Sequence, residues 1–228
     1  MFEFLKGLFL SSAAADSDKL GSNADPIRQL LFASQSLREQ ARLVSLDEAS
    51  GPLQFMADAR QLAEEGKLRE AASALRSMLQ SPKLETRIQL FAWSGLRELG
   101  EKPEGKLAYE VLGVVVEVPQ EGAYDTLAAY VDGSARYLNF SGKAVFWDAP
   151  DPAIKRLCQA LVDSTIPASG KAKERTSLAL PRRGVQATML TRSGPYVIAN
   201  PPQTVLAAGA ALMLELMRRA QQGKSRVE

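Results

Sequence analysis

The stretch Tyr124-Asp-Thr-Leu-Ala-Ala-Tyr-Val-Asp-Gly-Ser-Ala-Arg-Tyr-Leu-Asn-Phe140 decides the fold class. Two runs of strand-forming residues flank Asp132-Gly133, a dipeptide that marks a tight hairpin. A two-residue loop would set Val131 opposite Ser134, Ala129 opposite Arg136 and Leu127 opposite Leu138. Side chains alternate across a strand, so Val131, Ala129, Leu127, Leu138 and Phe140 would then share a core face. The other face would collect Tyr124, Thr126, Tyr130, Tyr137, Asn139 and Ser141, with Trp147 at its flank. Three of the chain's five tyrosines beside hydroxyl and amide groups have the composition of a recognition surface. This is the expected protein-binding face. Arg136 falls at the end of the aliphatic face, where it needs a carboxylate such as Asp125 or Asp148.

Around the hairpin the strand signal continues. Val111 to Val118 is β-branched and ends at Pro119, and Ala144 to Trp147 reads as a fourth short strand. Asp151-Pro152 opens a helix with Ile154, Leu157, Leu161 and Val162 on one side. Val185 to Thr191 and Tyr196 to Ala199 form a second hairpin about Ser193-Gly194-Pro195, and Asn200-Pro201-Pro202 opens a last helix to about Gln222. Residues 107–228 therefore predict an α+β domain in the order β-β-β-β-α-β-β-α, a mostly antiparallel sheet with helices on one side. The run Ala207 to Ala211 has almost no side-chain bulk. Either that helix lies close to the sheet, or the 205–217 helix packs on a copy of itself as a homodimer.

Residues 26–106 change period. Asp25-Pro26 begins a helix to about residue 44. Three further helices follow Gly51-Pro52, Gly66 and Pro82, the last closed by Gly100. The segment Leu62-Ala-Glu-Glu-Gly-Lys-Leu-Arg-Glu-Ala-Ala-Ser-Ala-Leu75, with Gly66 between helices, small Ala71 and Ala72 and Pro82 beyond, resembles a tetratricopeptide unit over residues 53–86. The resemblance implies a helical hairpin of the kind used in protein–protein contact. The segment Gly122–Trp147 resembles uncharacterised bacterial proteins, which implies no function.

Residues 1–25 form a separate segment. Phe2, Leu5 and Phe9 lie on one helical stripe, a candidate docking segment, and residues 11–25 read as a flexible tether. No stretch has the roughly 18–20 apolar residues of a membrane span. The expected location is cytoplasmic, with peripheral contact at a membrane as the variant.

Composition narrows the chemistry. The 228 residues include no histidine and one cysteine, Cys158. That excludes serine–histidine and cysteine–histidine catalysis, imidazole metal sites and an internal disulfide. No phosphate-binding loop or dinucleotide fingerprint occurs, and no metal, cofactor or catalytic residue is assigned. The net charge of +2 conceals an asymmetry: residues 167–228 carry +7, and everything before them −5. Within a basic loop at 167–184 and the hairpin after it stand Lys171, Lys173, Arg175, Arg182, Arg183 and Arg192. The expected function is a non-enzymatic interaction or adaptor protein with a protein partner. The alternative is a binder of anionic surfaces, membrane or nucleic acid, through residues 171–192 and the N-terminal segment.

Overall fold

The computed structural model describes residues 27–41, 52–120, 123–180 and 184–224. The docking segment with Phe2, Leu5 and Phe9, the tether, and Arg182 and Arg183 lie outside the described residues. The first described segment is a helical turn over residues 27–30 and a short helix α1 (Leu37–Ala41). The chain turns between them, with Ala33 at φ 46°, so the continuous helix expected to residue 44 is broken. Leu31, Phe32, Ala33 and Leu37 are all buried, and the break lets them reach one core from different directions.

Helices α2 (Pro52–Glu64), α3 (Leu68–Leu79) and α4 (Thr86–Glu98) follow the sequence stops closely. In α3, Ala71, Ala72, Leu75 and Met78 form the buried stripe. Each fully buried Leu or Met side chain there is worth about 2 kcal/mol against exposure.

Seven strands make one sheet: β1 (Val111–Gln120), β2 (Ala123–Tyr130), β3 (Ala135–Leu138), β4 (Ala144–Trp147), β5 (Lys173–Glu174), β6 (Gln186–Thr191) and β7 (Gly194–Ala199). Their order is β4-β3-β2-β1-β6-β7-β5, and every neighbouring pair is antiparallel. Helix α5 (Pro152–Thr165) connects the two halves, and α6 (Gln203–Lys224) ends the described chain. The fold class is α+β, as expected. The two-residue β5 and a 3-10 helix, Ile166–Lys171, occupy what the sequence presented as loop.

Helices cover both faces of the sheet, not one. Leu112, Val115, Ala128, Tyr130 and Leu190 pack under the N-terminal helices. Val114, Val116, Leu127, Ala129 and Tyr137 pack under α5 and α6. The cause lies in β1, which is apolar on both sides and so needs cover on both.

The β2–β3 register also departs from the expectation. Gly133 N donates to Tyr130 O at 3.0 Å, and Tyr130 N donates to Ser134 O at 3.0 Å. The loop is therefore the three residues Val131-Asp132-Gly133, with Gly133 at φ 95°. Ala129 pairs with Ala135, Leu127 with Tyr137 and Thr126 with Leu138. That is a slip of one residue, and it turns every β3 side chain to the other face.

Candidate functional site

The slip dismantles the tyrosine face. Tyr130 is fully buried under the N-terminal helices, its hydroxyl donating to Leu31 O at 2.6 Å. Thr126 is buried on the same side. Tyr137 is buried on the opposite side among the α5 and α6 contacts, and accepts from Asn139 Nδ2 at 3.2 Å. Asn139 serves the next turn, its Oδ1 accepting from Ser141 N at 2.7 Å. Ser141 is exposed, and Tyr124 and Trp147 are half-buried. Tyr130 and Tyr137 thus face opposite layers and form no common surface. Arg136 does meet a carboxylate, Asp148, and also donates to Ala135 O at 2.9 Å and Trp147 O at 3.1 Å.

The basic set is dispersed as well. Arg175 is buried and donates to Glu117 Oε2 at 2.6 Å and Thr188 Oγ1 at 2.8 Å. Its remaining donors take Ser177 O at 3.0 Å and Ala179 O at 3.1 Å. Arg28 binds the other Glu117 oxygen and Leu178 O, and Phe32 lies 4.7 Å beneath the Arg175 guanidinium carbon. Arg192 is held by Glu110 and Leu107 O. Lys171 and Lys173 are exposed. Sequence reasoning overlooked Glu117, although a single charge inside the apolar run Val111–Val118 signals a buried partner.

What the fold does bring together is a cleft of about 560 Å³ at one end of the sheet. The α3–α4 loop supplies Lys83, Leu84 and Glu85, and the β2–β3 turn supplies Asp132, Gly133 and Ser134. The β4–α5 connection adds Asp148 to Pro152, and α5 adds Lys155. Each lining carboxylate is already engaged. Asp132 accepts from Thr86 N at 2.7 Å, Ser134 N at 2.9 Å and Ser134 Oγ at 2.8 Å. Asp151 caps α5 through Ala153 N at 2.8 Å and meets Arg219 at 3.1 Å. Asp148 holds Arg136, and Glu85 lies 3.1 Å from Arg87. Among the described residues no cluster of three or more carboxylate or cysteine side chains is arranged to hold a metal ion. The amines of Lys83 and Lys155 are exposed at the rim, with no carboxylate within ion-pair distance among the described residues.

No family model, curated protein or solved structure matches this chain. The site therefore rests on its own geometry.

Beside the cleft runs β4, an outer strand of the sheet. Asn139 N donates to Lys143 O at 2.8 Å, which sets the phase of the β3–β4 ladder. By alternation, Val145 and Trp147 bond toward β3, whereas the backbone groups of Ala144 and Phe146 point away from it. Phe140 is 53% exposed and Phe146 39% exposed along this edge. At the opposite margin β5 has two residues, both charged. Charge and shortness make β5 a poor template for another strand, whereas β4 has four residues and none of them is charged. Among the described residues, no helix is long and apolar enough to cross a membrane.

Proposed function

We propose that the protein is a non-enzymatic interaction module that takes an extended segment of a partner protein as an added strand along β4. The contrast between the two sheet margins carries this reading. One edge is closed by a short charged strand, and the other presents Ala-Val-Phe-Trp. The partner's chemistry follows from the flanks. Lys143 stands before β4, while Lys83 and Lys155 stand at the cleft beyond its end. A segment with alternating apolar residues between acidic ones matches both strand and flanks. The commitment of Glu85, Asp132, Asp148 and Asp151 to internal bonds supports binding over acid–base chemistry. The anionic-surface alternative is weakened because Arg175 and Arg192 are occupied within the chain.

Ala144→Pro tests the reading. Its amide points outward, so proline blocks an incoming strand while leaving the β3 ladder intact. Peptides selected from a displayed random library against the full chain should alternate apolar and other residues, with acidic ends. Titration calorimetry should show their affinity falling at least roughly tenfold, about 1.4 kcal/mol, with Ala144→Pro. Equal binding to a folded Ala144→Pro protein would refute strand addition, as would selection of peptides lacking any apolar alternation.

A further inference from the structure

Helix α6 has two unlike faces. Toward the sheet, Val205, Leu212 and Leu216 are fully buried, and Gly209 faces Leu127, where an added Cβ would stand at an ordinary contact distance of 3.7 Å from Cδ2. Away from the sheet, Ala207, Ala210 and Ala211 are exposed. With Leu214 at 62% exposure and Met217 at 38%, they form one stripe at helical spacing. Between Thr204 and Met217 the stripe carries no charge. Glu215, at its flank, is bound by Arg218 and Arg219. An apolar stripe of this length on an outer helix marks a contact surface.

We propose that a second copy of this chain covers the stripe, the two α6 helices packing antiparallel about a two-fold axis between Ala210 and Ala211. The order of side-chain sizes along the helix selects this occupant. Antiparallel pairing sets Leu214 of one copy over Ala207 of the other and Met217 over Thr204. The alanines meet at the axis, where small side chains permit an interaxial distance of about 8 Å. Each bulky residue thus fills the space left by a small one, and a two-fold axis repeats the match. Parallel pairing would oppose Leu214 to Leu214 and leave a gap between alanines.

Charge supports the same orientation. Helix α5 runs antiparallel to α6, since Asp151 at its start meets Arg219 near the end of α6 at 3.1 Å. Asp163, in the last turn of α5, consequently lies beside the first turns of α6. It accepts from Gln159 at 2.8 Å and has no ion pair among the described residues. The antiparallel dimer brings the second copy's Arg218 to that end. The stripe is about 20 Å long at 1.5 Å per residue, less than a standard interface of roughly 800 Å² per partner requires. The dimer is accordingly expected to dissociate in the micromolar range.

Sedimentation equilibrium of the full chain over a wide concentration range tests the proposal. The mean mass should rise from 24.7 kDa toward twice that value. Leu214→Glu, at an exposed position, should keep its circular dichroism spectrum and weaken dimerisation at least roughly tenfold. Cysteine cross-linking tests the orientation, because the native Cys158 is buried and does not compete. A chain carrying Ala207→Cys together with Leu214→Cys should oxidise to a covalent dimer, whereas each single variant should not. A monomer at every concentration overturns the proposal, and so does a dimer indifferent to Leu214→Glu. Cross-linking by Leu214→Cys alone would overturn the antiparallel arrangement. Ala144→Pro should leave the dimer unchanged, so failure at β4 and failure at α6 are distinguishable.

Discussion

Asp132 shows how one side chain joins two layers of this molecule. Burial opposes its ionisation, but hydrogen bonds from Thr86 N, Ser134 N and Ser134 Oγ outweigh that effect and hold its pKa below the ordinary aspartate value. Thr86 begins α4, whose own N-cap residue, Glu85, makes no side-chain cap. A carboxylate from the β2–β3 turn thus does the work of a cap on a helix distant in sequence. Asp132→Ala is expected to destabilise the fold by about 1–2 kcal/mol at neutral pH. A lowered folded-state pKa gives stability that is full above the unfolded value and lost as pH falls through the folded one. The gap between wild type and Asp132→Ala in urea denaturation should therefore close in acid. A gap that stays constant with pH would mean the carboxylate's charge contributes nothing.

At the scale of elements, the sequence revealed the pieces better than their alignment. Helices α2, α3 and α4 were legible because Pro52, Gly66, Pro82 and Gly100 stop the chain where apolar periodicity stops. The hairpin was legible as a hairpin, while its register was not. Asp-Gly serves a two-residue loop and also the end of a three-residue one, and composition is the same for both. Only the position of Val131, in strand or in loop, separates them, and that choice moved Tyr137 to the face opposite Tyr130. The β4 strand is legible in its own residues, yet its place at the margin depends on sheet order, which no local pattern encodes. Gly133 fixes the observed register. It has φ 95°, and a Cβ there would come within 2.9 Å of Lys155 Cβ. Gly66 has φ 77° and no atom within 4 Å of such a Cβ. Both alanine variants carry the left-handed backbone cost of roughly 1 kcal/mol, and Gly133→Ala adds the collision. Urea midpoints should rank Gly133→Ala clearly below Gly66→Ala. Equal midpoints would mean that α5 gives way freely at the turn.

Across the whole molecule, two distant segments converge on Glu117. Its carboxylate is fully buried in the middle of the sheet, bound by Arg28 from the first described turn and Arg175 from the loop after β5. The two arginines also hold the carbonyls of Ser177, Leu178 and Ala179, so the cluster fastens that loop and the N-terminal segment to the sheet together. Removing the carboxylate alone strands two buried cations, a loss of about 3–5 kcal/mol. Replacing all three with apolar residues removes the stranded charge but frees the loop carbonyls, whose need for partners then falls to water. Glu117→Ala should therefore unfold globally at much lower urea. The triple variant Arg28→Met, Glu117→Leu, Arg175→Met should recover most of that midpoint while amides near residues 175–180 lose hydrogen-exchange protection. Two outcomes would separate stability from placement. Recovery with protection intact would show that packing alone seats the loop, and no recovery would show that the buried charges hold the layers together.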